Sequence, residues 1–140
     1  MTEPYRHVIH LLALLLYIAA FVLWLRTLAA GGRDGGSWAA WTAAAGVGLH
    51  VGAVTSYTLT FGELPLVGLG PSLSMLALLT GIGLVGALAQ REGERVGIVL
   101  LPLAIVLEAT ALAVGIRPSG TAPDFRGGWF VLHAGLGLAG

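Results

Sequence analysis

The sequence predicts an all-α fold, a polytopic transmembrane helix bundle with four full spans and a truncated fifth. Three observations carry this: the composition, the length of the apolar runs, and the residues that separate them. Of 140 residues, 56% are hydrophobic and 10% are charged, with a mean hydropathy of +0.89, whereas a soluble domain carries about 25% charged residues. A chain this small cannot hide that much apolar surface from water, so the solvent around it is lipid. The whole chain, 1–140, reads as a single transmembrane domain.

An apolar helix needs about 20 residues to cross the hydrocarbon core. Span one runs from Val8 to Leu25 and is closed by Arg26. It exceeds the roughly 7–15 residues of a signal-peptide core, so it is read as a retained span. The cluster Gly31, Gly32, Arg33, Asp34, Gly35, Gly36 makes a polar turn. Span two opens at Trp38, a residue type that anchors helices at the membrane surface, and continues to Leu59.

Phe61 to Pro71 contains Glu63, Pro65 and three glycines and is read as a loop. Span three covers Ser72 to Leu88. Gln90 to Arg95 is too polar for lipid, and span four follows from Val96 to Ile116, with Glu108 and a potential kink at Pro102 inside it. After a polar loop, Trp129 opens a fifth apolar segment, WFVLHAGLGLAG, that stops after 12 residues. A span does not end so, and the chain is expected to be the amino-terminal part of a longer protein or the product of a truncated reading frame.

Seven Arg and no Lys balance seven acids, which leaves no basic footprint for nucleic acid. An external amino terminus puts four Arg inside and three outside, a slight preference for that orientation. Without Cys there is no disulfide, no thiolate metal site and no thioether chemistry. Strand-bound GxGxxG, Walker, GxSxG and HExxH patterns are missing, so the sequence offers no catalytic constellation and enzyme readings have little to rest on.

Five residues could carry chemistry. His50 lies near mid-depth of span two, where an imidazole faces the bundle interior, either as a ligand or proton route or as a structural hydrogen bonder. Ala43, Gly46 and Ala53 share its face and admit a close neighbour. His133 stands one turn after Trp129, with Gly137 and Gly140 clearing its face; it reads as a haem or metal ligand or as a water-bonded interfacial histidine. Glu108, central in span four, needs a proton or a partner and is expected to be buried in the bundle, with a proton relay as the sharper role. His7 and His10 are three apart and superficially resemble a two-His metal site, but the signal is weak without a Cys beside them, and both are read as interfacial. Gly48 and Gly52 form a small-xxx-small pair read as helix packing.

The order of residues adds a resemblance. Gly70-Pro71-Ser72-Leu73-Ser74-Met75-Leu76-Ala77, then Glu94-Arg95-Val96-Gly97 to Leu101-Pro102-Leu103-Ala104, then WFVLHAGLGLAG together resemble the cytochrome c assembly family, most of all its CcsA-like membrane proteins. The resemblance implies that His133, four residues after Trp129, is an external axial ligand of haem iron (heme b), and that His50 occupies a position where similar proteins often carry a histidine. It implies haem, apocytochrome c and other maturation proteins as partners, and a bacterial inner membrane with the haem site facing outward. The family's tryptophan-rich segment and second external histidine are not within these 140 residues, so the chain is not expected to attach haem unaided. Two other functions stay open: a bis-His cytochrome b-like carrier using His50 and His133, and a small transporter or scaffold with a His50/Glu108 proton route.

Overall fold

The computed structural model describes residues 3–30, 36–89 and 93–118, with side chains described over 7–30, 37–89 and 96–118. These residues form four helices: α1 (Glu3–Ala29), α2 (Gly36–Phe61), α3 (Leu69–Ala89) and α4 (Gly93–Val114). Trp129, His133 and the whole fifth segment lie outside the described residues.

The helices follow one another around a ring, α4 closing back on α1. Contacts fix their directions. Near the start of α1, His10 meets Glu108 near the end of α4, whereas Gly97, near the start of α4, lies under Trp24, near the end of α1. Likewise His50 meets Ser74 while the earlier Val47 meets the later Gly81. Neighbours therefore run antiparallel, as short connections require.

The faces are inverted relative to a water-soluble bundle. Leu11, Leu15, Ile18, Val22, Leu76, Leu79, Ile98, Val99, Leu103 and Val106 point outward, while the interior is mostly small or polar. Buried positions recur at alternating steps of three and four: His10, Ala13, Tyr17, Ala20, Trp24 on α1; Ala39, Ala43, Gly46, His50, Ala53, Tyr57 on α2; Ser74, Ala77, Gly81, Leu84 on α3; Gly97, Leu101, Ala104, Glu108, Ala111 on α4. That spacing is the seam of a left-handed bundle. Small residues let helix backbones approach where lipid gives no hydrophobic drive for association.

Three helices, over His7–Ala29, Leu69–Ala89 and Val96–Val114, are long and apolar enough to cross a membrane. α2, expected as one of four such spans, is not among them. Its length suffices, but Gly, Ser, Thr, Tyr and His dilute its apolarity. Trp38 and Trp41 at its start are exposed, as interfacial anchors are. Gly48 and Gly52 face outward with open space above them, so this pair packs no neighbour among the described residues.

The ends of the elements follow local chemistry. α2 and α4 stop at Gly62 (φ 73) and Gly115 (φ 97), each in the left-handed conformation that glycine adopts without penalty. Their amides bond back to Thr58 and Ala111 carbonyls at 2.8 and 2.9 Å. Pro71 falls in the first turn of α3, where its missing N–H costs nothing, so the helix starts slightly earlier than expected. α4 continues through Pro102 without a break, and α1 runs past Arg26 to Ala29.

Candidate functional site: a buried His–Glu–His layer

One polar layer crosses the bundle, and every helix contributes to it. His10 and Tyr17 come from α1, His50 from α2, Ser74 from α3 and Glu108 from α4. His10 is 3% exposed, and His50 and Glu108 are fully buried. His10 Nδ1 lies 2.7 Å from Glu108 Oε1, and His50 Nε2 lies 3.3 Å from Glu108 Oε2. Ser74 Oγ completes the cluster, 3.0 Å from His50 Nε2 and 3.5 Å from His10 Nδ1. The two imidazoles meet edge to face, centroids 5.6 Å apart at 81°.

Tyr17 supports the layer from one side, its hydroxyl 3.2 Å from His50 Nδ1. Glycines set its position. A Cβ on Gly46 would stand 3.0 Å from the Tyr17 ring, and one on Gly81 would stand 2.8 Å from its hydroxyl. The phenol passes between α2 and α3 to reach the imidazole through space that a side chain at Gly81 would close and one at Gly46 would narrow.

With Glu108 as a carboxylate, one proton arrangement satisfies most of the layer: His10 Nδ1–H donates to Oε1, the Tyr17 hydroxyl donates to His50 Nδ1, and His50 Nε2–H donates to Ser74 Oγ. Glu108 Oε2 is then left buried with no hydrogen-bond partner. A buried acceptor of that kind is costly in a low dielectric. Both nitrogens of His50 are in protein contacts here, so an iron at His50 must displace one of them.

Apolar clusters close the layer above and below. On one side stand Tyr17, Ala20, Trp24, Ala39, Ala43, Leu84, Leu101 and Ala104; on the other are Tyr57, Ala111 and Ile116. His10 is seven residues from the start of α1, Ser74 five from the start of α3 and Glu108 six from the end of α4. At 1.5 Å per residue the layer is thus about 8–10 Å inside the end where the amino terminus lies. Glu108 is accordingly nearer one end of its helix than the centre expected from span four.

Glu108 is buried in the bundle, as expected, and its partners are now visible. His10 is the residue that sequence reasoning misplaced. It is no interfacial histidine but the strongest partner of Glu108, while His7, one turn earlier, is exposed. The signal was present in α1 itself, where His10 falls in step with Ala13, Tyr17 and Ala20 on the small-residue face. Ser74 and Tyr17 gave no separate sign as site residues. His50 and its companions Ala43, Gly46 and Ala53 share one buried face, as their spacing requires. Trp129 and His133 lie outside the described residues, so the pairing of His133 with His50 is not described.

Compared with protein-family models, with curated proteins and with solved structures, the chain matches none.

Proposed function

We propose that the chain is part of a haem-handling integral membrane protein of cytochrome c assembly. In this reading His133 is the external iron ligand, Trp129 opens its segment, and the four helices are the scaffold. One observation supports it beyond the order of motifs. The segments through which the sequence resembles that family supply much of the bundle's inward face: Gly70, Pro71, Ser74 and Ala77 from one, Gly97, Leu101 and Ala104 from the other are all buried, and Ser74 bonds His50. Residues that build the interior are the ones a shared architecture retains.

His50 is then a scaffold residue held by Tyr17 and Ser74, and the iron is left to His133. Haem, when bound, supplies the reactivity, and the chain holds and orients it for apocytochrome c and other maturation proteins. α2 is taken as a fourth crossing, since 26 residues extend about 39 Å, more than the roughly 30 Å core. Bacterial inner membrane and an external amino terminus follow in the same reading from the resemblance and the Arg distribution. Cysteine labelling at Ser37 and Ser119 tests the orientation: Ser37 labels from the cytoplasm and Ser119 from outside, and the reverse pattern refutes it.

The functional test is Soret absorbance of the purified protein. His133→Ala lowers haem content or shifts the band, and added imidazole partly restores it by refilling the coordination site. His7→Ala leaves both unchanged. Wild-type haem content and cytochrome c maturation in His133→Ala, with loss in His50→Ala, would overturn the assignment.

A further inference from the structure

We infer that the His10–Glu108–His50 layer is a binding site for a divalent transition-metal ion of borderline softness, with Zn²⁺ as the reference ion. The inference goes beyond the haem reading and does not depend on it.

The donor set fits such an ion. Two imidazole nitrogens and a carboxylate suit zinc and its neighbours, whereas magnesium and calcium prefer oxygen alone. One donor atom each from His10, His50 and Glu108 can be chosen so that all lie within 4.8 Å of one another. Four donors around a tetrahedral ion at about 2.0–2.2 Å are about 3.3–3.6 Å apart. His50 Nε2 to Glu108 Oε2 is 3.3 Å, Ser74 Oγ to His10 Nδ1 is 3.5 Å and Ser74 Oγ to His50 Nε2 is 3.0 Å. The 2.7 Å hydrogen bond from His10 to Glu108 and the 3.0 Å one from His50 to Ser74 must lengthen, and these are the bonds a metal replaces.

A second observation points inward to a ligand. Glu108 is wholly buried, yet its Oε2 has no hydrogen-bond partner. A cation between the carboxylate and the two imidazoles gives that oxygen its partner and offsets the charge. Tyr17 completes the arrangement from outside the ligand set. When its oxygen accepts from His50 Nδ1–H, the lone pair of Nε2 is directed at the site, the usual role of a residue behind a metal-bound histidine. Ser74 Oγ, or a water in its place, is the fourth donor.

Tyr57, Ala111 and Ile116 stand between the layer and the nearer end of the bundle. Loading therefore requires a local opening, so metal enters slowly and is retained through desalting.

Co²⁺ is the probe, added to the haem-free, full chain in detergent or nanodiscs. The expected result is one Co²⁺ per chain with the intense visible absorption of four-coordinate cobalt, displaced by Zn²⁺. Glu108→Gln and His10→Gln abolish that signal, Tyr17→Phe weakens affinity about 10–100-fold, and His7→Ala and His133→Ala leave it intact. The His133→Ala arm separates this site from the haem reading. Absence of stoichiometric binding by the wild-type chain overturns the inference, whatever the variants do, and makes the layer a hydrogen-bonded or proton-carrying one. Retention of the cobalt spectrum in Glu108→Gln together with His10→Gln overturns it equally.

Discussion

The two halves of the bundle are held by different physics. Around Trp24 the interior is matched by shape: the indole fills the space that Gly97 leaves open, and a Cβ there would stand 2.8 Å from the ring. Around His10 the interior is matched by polarity, one carboxylate facing two imidazoles from two other helices while a serine from the third bonds an imidazole. Lipid-exposed helices gain no hydrophobic benefit from associating, so packing and buried polar contacts must do it. The first half tolerates small sliding adjustments of its side chains. The polar half does not, because a one-residue slip of any helix removes its member from the layer, and this makes it the part that selects register.

The largest effect expected from that contrast is at Glu108. Glu108→Ala takes from the buried His10 its closest acceptor, a loss of about 1–3 kcal/mol, to which the cavity left by the missing side chain adds. Denaturant titration of helical content in detergent measures it, and Glu108→Gln, which keeps a hydrogen-bonding carbonyl, is expected to lose less. A loss below that of an exposed control such as Val99→Ala would show that the layer does not hold the bundle together.

Overpacking the other half comes next. Gly97→Val drives a branched side chain into Trp24 and is expected to cost about 1–3 kcal/mol, with Trp24→Phe in the same chain recovering part of it. Gly81→Val forces out Tyr17 by the same mechanism but adds loss of the His50 contact. Equal behaviour of the two glycine variants toward Tyr17→Phe would erase the distinction between the halves.

A smaller effect belongs to the single hydroxyl. Tyr17→Phe removes one 3.2 Å hydrogen bond, and membrane hydrogen bonds of this kind average about 0.6 kcal/mol. At the bottom of the scale, His7→Ala should leave stability unchanged, since His7 is exposed one turn from a histidine that is not.

The sequence foretold the apolar half better than the polar one. Run lengths and the Gly, Pro and Arg breaks located all four helices, because the cost of polar backbone and charge in lipid is read residue by residue. Glu108 and His50 were visible for the same reason: each is an ionisable group inside an apolar run. His10 was not, because it lies near the mouth of α1, where lone histidines are ordinary, and only its step with Ala13, Tyr17 and Ala20 marks it as inward. Ser74 carries no such mark among the other small residues of α3. α2 was counted as a fourth lipid-crossing run on its length, but its Gly, Thr and Ser content leaves it without a stretch as apolar as those of the other three. Which members of the four faces meet depends on interhelix register, a long-range property that no local pattern records.

The account rests on His10 and Glu108 meeting inside the bundle, and a double-mutant cycle between them measures that directly. His10→Ala, Glu108→Ala and the double variant, unfolded in the same lipid or detergent, should give an interaction energy of about 0.5–3 kcal/mol, whereas His7→Ala with Glu108→Ala should be additive. Additivity of His10→Ala and Glu108→Ala to within about 0.3 kcal/mol would contradict the layer as described.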